Sequence, residues 1–329
     1  MTKPSVLLTR RWPAAVEEKL GAQYDLHLNR AARPLSAEEF REALQHYDAV
    51  LPTVTDKIGR ESLDVPKAHT KIFANYGVGY SHIDVEAAKS HGIAVTNTPD
   101  VLSECTADLA MMLLLMVARR AGDGEREVRS GQWDGWRPSH LMGTKVSGKT
   151  LGIVGFGRIG REVARRAHCG FGMEIVVYNR SPVPPADLAA VNARAAPTLD
   201  ALLPDCDFVS LHCPGGAGAA RMIDSRRLGL MRPGAFLINT ARGEIVDEAA
   251  LAQALMFETI GGAALDVFER EPAINPMLVQ CENLVMLPHM GSATREARLA
   301  MGLRVLDNLN DFFEGKSPRD RVVCTETRT

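Results

Sequence analysis

The stretch "TLGIVGFGRIGREVARRA" sets Gly155, Gly157 and Gly160 between an apolar run and a helical pattern. Few backbone arrangements accept that spacing. Gly155 permits a tight turn, Gly157 lets a phosphate approach the main chain, and Gly160 lets the helix lie close on its strand. The helix start, with Arg158 and Ile159 in its first turn, offers free N–H groups and a partial positive charge to a pyrophosphate. A second apolar run, "MEIVVY", follows, so the unit reads as strand, turn, helix and strand of a parallel sheet.

A nucleotide-binding fold normally opens with this turn, yet here the turn begins at residue 155 of 329. What precedes it therefore reads as a separate domain. Its strand candidates are "SVLLT", "YDLHL", "DAVLP", "KIFA" and "IAVTN", with helical stretches such as "SAEEFREALQHY" between them. After a long helix over 101–120 the second series continues through "FVSLHC", "AFLINT", "GGAALDVF" and "NLVMLP". In the tail, Leu299, Leu303, Leu306, Leu309 and Phe313 recur at helical spacing, enough to return the chain to the first domain. The expectation is an α/β protein with two Rossmann-like domains and parallel sheets. Residues 101–291 would form a dinucleotide-binding domain inserted into a discontinuous substrate domain, 1–100 with 292–329, with a cleft between the two.

In NAD enzymes an acid about twenty residues past the glycine turn holds the adenosine ribose. Here that strand ends in "VVYNRS", and Asn179, Arg180 and Ser181 stand in its place. An amide, a guanidinium and a hydroxyl all donate hydrogen bonds, and arginine grips a phosphate bidentately. The missing acid points to NADP(H) as the preferred cofactor, with NAD(H) possible.

Other function classes find no support. The formal net charge is −2 and no basic run exceeds a pair, so neither nucleic acid nor an anionic membrane is favoured. The most apolar stretch, "LAMMLLLMVA", is ten residues long, against about 20 for a membrane span; it reads as a buried helix. The N-terminus lacks the apolar core of a signal peptide. Cysteines 105, 169, 206, 213, 281 and 324 are scattered, with no metal-like pairing, as suits free thiols in the cytoplasm.

Three later strand ends carry chemistry-capable residues: Arg242 in "NTARGEIVDE", Glu271 in "LDVFEREP" and His289 in "LPHMGSAT". In open α/β sheets ligands bind at the carboxyl ends of strands. Arginine can grip a carboxylate and polarise a carbonyl. Histidine can donate the proton that a reduced carbonyl needs, and a carboxylate beside it favours the imidazolium and orients the ring.

Together with "NYGVGY" and "GFGRIG", these segments in this order resemble the D-isomer-specific 2-hydroxyacid dehydrogenase family over nearly the whole chain, and most closely its glyoxylate/hydroxypyruvate reductase branch. The resemblance implies NADPH-dependent reduction of a small 2-keto acid to the D-2-hydroxy acid by a homodimer. It assigns Arg242 to substrate binding, His289 to acid/base catalysis and Glu271 to the histidine's partner. It further implies that the backbone of Val78 and Gly79 holds the substrate carboxylate and that Val54 lines the pocket. Trp136 would reach the partner subunit's active site. Thr106 would lie near the cofactor, with Thr240, Ala241, Asp266 and Gly291 facing the nicotinamide and Cys213 and Pro214 beside the adenine. Ser81, Met290 and Glu258 depart from the family pattern, which often has aspartate, isoleucine or leucine, and a turn glycine there. The alternatives are another 2-hydroxy acid, such as 3-phosphoglycerate or hydroxyphenylpyruvate, and a cofactor-sensing corepressor-like binding protein.

Overall fold

The structure, a computed structural model, describes residues 3–31, 33–216 and 218–322; Cys324 lies outside them. The chain divides into two compact units, Met1–Leu102 with Ser292–Thr329, and Ser103–Gly291.

The first unit holds five parallel strands: β1 (Ser5–Leu8), β2 (Asp25–Leu28), β3 (Ala49–Leu51), β4 (Ile72–Ala74) and β5 (Ala94–Thr96), in the order β2-β1-β3-β4-β5. Leu7, Phe40, Leu44, Val50, Ile58 and Phe73 pack in one of its core clusters. Helix Ala37–His46 starts cleanly because Ser36 and Glu39 form a reciprocal capping box.

Helix Arg295–Phe313 brings the tail back to this unit. Thr294 caps its start by accepting from the Ala297 N–H. The buried face matches the expected stripe only in part. Leu306 and Leu309 are buried, together with Met301, Gly302 and Val305, whereas Leu299 is 37% exposed. The cause is close contact: a side chain at residue 302 would meet Val16 at 2.6 Å, so the helix rotates its glycine against that residue. The Tyr76 hydroxyl donates to the Arg298 carbonyl at 2.5 Å, and Arg304 grips Asp320 with both carboxylate oxygens.

The second unit holds seven parallel strands: β6 (Thr150–Val154), β7 (Glu174–Tyr178), β8 (Ala193–Ala195), β9 (Phe208–Leu211), β10 (Phe236–Asn239), β11 (Gly262–Leu265) and β12 (Leu284–Met286). Their order is β12-β11-β10-β9-β6-β7-β8, so the chain winds outward in opposite senses from β6 and β9, which are themselves parallel. That is where doubly wound sheets bind ligands. The long apolar helix runs Ser103–Ala118 and lies against this sheet with helix Arg158–Phe171. Its Met112 is 40% exposed, so the helix is buried on most but not all faces. Strand β8 and helix Ala121–Ser130 have no counterpart in the sequence reading; β8 is a three-residue edge strand without an apolar pattern, and the helix buries no residue. Among the described residues no helix is long and apolar enough to cross a membrane.

Candidate active site

The glycine turn divides its work as its chemistry demands. Gly155 sits at φ +94°, and a Cβ there would lie 2.7 Å from the Cys213 nitrogen. Gly160 has no room either, because a Cβ would overlap the Gly155 carbonyl. A Cβ on Gly157 would meet nothing within 4 Å, and this residue caps the N-terminus of helix Arg158–Phe171. Open space before a helix N-terminus, backed by two glycines that allow the tight approach, fits a dinucleotide pyrophosphate. Arg158 and Ile159 open the helix, the first exposed. The Cys213 main chain passes beside Gly155, followed by exposed Pro214; burial pushes the Cys213 thiol up to about 11.

At the end of β7, Asn179 is already engaged. Its Oδ1 accepts from the Phe156 N–H at 3.0 Å and its Nδ2 donates to the Ser181 carbonyl at 2.8 Å. Asn179 thus ties the glycine turn to its own loop, which its residue type alone does not reveal. Arg180 and Ser181 are exposed, and the Arg180 side chain meets no hydrogen-bonding or ionic partner among the described residues.

Arg242 follows β10. Asn239 fixes the turn by accepting from the Ala241 N–H at 3.0 Å and donating to the Arg242 carbonyl at 2.9 Å. A side chain on Gly243 would overlap the backbone of Phe268, so the arginine segment lies directly against the one carrying Glu271. Burial lowers the Arg242 pKa, opposed by the charges of Glu271 and Glu244; a guanidinium nevertheless stays charged. The Thr240 hydroxyl is buried with no partner among the described residues.

Glu271 accepts from the Phe268 N–H through Oε1 at 3.0 Å and meets His289 Nδ1 through Oε2 at 2.8 Å. Burial pushes this carboxyl up, but His289, the Phe268 amide and Arg242 outweigh it and hold the pKa below the ordinary value. An ionised carboxylate only accepts, so Nδ1 carries the hydrogen and Nε2 is left for chemistry.

His289 itself sits at φ +55°, a left-handed backbone uncommon for residues that carry a side chain, and its surroundings hold it there. Those surroundings are explicit. The His289 N–H donates to the Asp266 carbonyl, and the Asp266 carboxylate accepts from the Met290 and Gly291 N–H groups at 2.6 and 2.8 Å. Thr106 in the long helix donates to the Gly291 carbonyl at 3.1 Å. Asp266 is thus the brace of the histidine loop; burial raises its pKa. Glu248 was not singled out from the sequence. It is buried, accepts from the Glu269 N–H at 2.7 Å, and so holds the loop bearing Glu271. An acid in the first turn of a helix usually reads as a dipole partner, which hides this second use.

Within the first unit, "NYGVGY" forms the turn after β4. A Cβ on Gly77 would meet Val54 Cγ1 at 3.2 Å, so Val54 packs beside this turn. Val78 and Gly79 are half-buried, and no acceptor takes their N–H groups among the described residues. Trp136 is 82% exposed.

Comparison with known proteins shows the family to which a chain of this fold is similar. The sequence profile of the D-isomer specific 2-hydroxyacid dehydrogenase NAD binding domain matches residues 111–291. A glyoxylate reductase of Thermococcus litoralis is 44% identical over 325 residues, covering 97% of this chain and 97% of that protein. A glycerate dehydrogenase of Hyphomicrobium methylovorum is 35% identical over 315 residues, covering 96% of this chain and 98% of that protein. The solved structure of an NADPH-dependent glyoxylate/hydroxypyruvate reductase from Sinorhizobium meliloti, in complex with NADP and malonate, aligns with a TM-score of 0.87 at 34% identity, covering 98% of this chain and 97% of that one.

Proposed function

The chain belongs to the D-isomer specific 2-hydroxyacid dehydrogenase family, and from that premise we propose that it reduces glyoxylate or hydroxypyruvate to the D-2-hydroxy acid with NADPH. The observation that carries this reading is the 2.8 Å pair of Glu271 and His289 beside the Arg242 segment. A purely cofactor-sensing protein has no use for that set.

Arg242 takes the substrate carboxylate and polarises the keto oxygen. The amides of Val78 and Gly79 receive the carboxylate, and Val54 borders the same turn. The nicotinamide cofactor, when bound, supplies the hydride. His289 gives its Nε2 proton to the oxygen that becomes the hydroxyl, while Glu271 holds the ring through Nδ1. Gly155, Gly157, Arg158, Ile159 and Gly160 receive the pyrophosphate, and Thr106, Thr240, Ala241, Asp266 and Gly291 frame the nicotinamide end. The adenine side falls to Cys213 and Pro214. Arg180 takes the 2′-phosphate with Ser181, while Asn179 sets their loop. NADP preference rests on that uncommitted arginine and on the absence of an acid, and the Sinorhizobium reductase named above supports it.

A homodimer is proposed as well. Exposed Trp133, Trp136 and Met142 lie on one irregular segment, and Trp136 is assigned to the partner's active site. The five described cysteines are free thiols, as a reducing cytoplasmic setting requires. A steady-state panel of glyoxylate, hydroxypyruvate, 3-phosphohydroxypyruvate and hydroxyphenylpyruvate, each with NADPH and NADH, tests the function. Highest kcat/KM for a two- or three-carbon keto acid with NADPH supports it; preference for an aromatic or phosphorylated acid, or no turnover, contradicts it.

A further inference from the structure

The turn after β4 has its carbonyls filled from behind. Asn75 Nδ2 donates to the Gly77 and Gly79 carbonyls, both at 3.0 Å, and Asn97 Nδ2 donates to the Val78 carbonyl between them at 2.8 Å. The Thr98 N–H also donates to Gly77 at 3.0 Å. Three successive carbonyls are thereby occupied, while the Val78 and Gly79 N–H groups have no acceptor among the described residues. Successive free N–H groups in a turn form an anion-binding concavity.

Asn75 is fully buried and can fill this role in one orientation only. A side-chain amide has two N–H hydrogens and one acceptor oxygen. With both hydrogens spent on carbonyls, Oδ1 faces His82 Nε2 at 3.1 Å and needs a donor there. A reversed amide would set its oxygen against two carbonyl oxygens. His82 Nε2 therefore carries a hydrogen and fixes which way Asn75 points.

We propose that His82 and Asn75 are positioning residues for substrate binding: His82 orients the Asn75 amide, which with Asn97 holds the turn so that Val78 and Gly79 present their N–H groups to the substrate carboxylate. This rests on the reading of Val78 and Gly79 as carboxylate-binding amides. Both residues lie outside the Arg242, Glu271 and His289 set, so they govern affinity for the carboxylate, not proton transfer.

The test uses the NADPH-bound protein, selectively labelled with ¹⁵N-valine and ¹⁵N-glycine, titrated with oxalate as a non-reducible carboxylate probe. Variants His82→Ala, His82→Gln and Asn75→Asp are compared with the wild type. Gln can donate from its amide where histidine does, whereas Asp is close in shape to Asn but cannot donate to the carbonyls. Oxalate should shift the Val78 and Gly79 amide signals in the wild type. His82→Ala should weaken oxalate binding and raise KM for glyoxylate about fivefold to tenfold, the worth of one hydrogen bond, with kcat and NADPH affinity close to wild type. His82→Gln should restore both, and Asn75→Asp should lose more than His82→Ala. Wild-type amides that ignore oxalate would overturn the underlying reading and the proposal with it. Amides that respond equally, with equal affinity, in wild type and His82→Ala would overturn the proposal alone.

Discussion

Glu271 Oε2 lies 2.8 Å from His289 Nδ1, and this contact helps hold the glutamate's pKa below its ordinary value, so the carboxylate is ionised across the neutral range. Its stabilising contribution is present above the unfolded-state value and fades as pH falls through the lower folded-state value. Glu271→Gln keeps the shape but removes the charge that favours imidazolium. The proposed reduction requires the imidazolium, so the upper limb of its pH profile should move to lower pH, and kcat near neutrality should drop about tenfold to a hundredfold. Profiles of kcat against pH for both proteins check this; superimposable limbs would separate Glu271 from proton transfer.

Arg242→Lys keeps a cation and loses the planar fork. With the carboxylate contact reduced to a point charge, kcat/KM for glyoxylate should fall about tenfold to a hundredfold, equivalent to about 1.5–3 kcal/mol. Equal kinetics for the two proteins would mean the substrate carboxylate is held by other groups.

Arg180→Ala should raise KM for NADPH about tenfold to a hundredfold while leaving NADH nearly unchanged, since only NADPH carries the phosphate. Adding Asn179→Asp should go further. Aspartate still accepts from the Phe156 N–H, as Asn179 Oδ1 does at 3.0 Å, so the glycine turn survives; the donation to the Ser181 carbonyl is lost, while a ribose acceptor appears and the 2′-phosphate is repelled. Preference should invert towards NADH, measured as kcat/KM for both cofactors at one salt concentration. A wild type that prefers NADH, with Arg180→Ala changing neither cofactor, would remove Arg180 from recognition.

Glu258 follows Phe257, the C-cap of helix Glu248–Met256, at φ +53° and is exposed. Glycine adopts that backbone without strain. Glu258→Gly should therefore stabilise the protein by about 1 kcal/mol and raise Tm by a few degrees, with turnover unchanged. A lower Tm would show that Glu258 makes a compensating contact.

Most strands were legible because parallel β-structure buries both faces of each strand; "TLGIV" and "FVSLHC" carry that signature, whereas β8, Ala193–Ala195, is an edge strand of small and polar residues. The Arg242, Glu271 and His289 set was legible because each follows such a run. What could not be read was the use to which polar groups are put. Asn179 could as well donate to a phosphate as tie down Phe156, and Glu248 could as well face solvent as brace the Glu271 loop. The stripe from Leu299 to Phe313 was right at Leu306 and Leu309 and wrong at Leu299, because helical spacing reports a face, while the contact of Gly302 with Val16 decides which face is buried. Left-handed backbone at His289 is only weakly signalled by residue type, because histidine is enriched there yet seldom adopts it.

The most direct measurement is the rate of NADPH oxidation by glyoxylate in His289→Ala, paired with NADPH binding to the same protein by fluorescence. In the proposed reaction His289 donates the proton, and among the described residues no hydrogen bond joins it to the phosphate cradle, so kcat should fall by about 10²–10⁴ while the Kd for NADPH stays within about twofold of wild type. Wild-type turnover in His289→Ala would contradict the account; so would a loss of activity matched by an equal loss of NADPH binding.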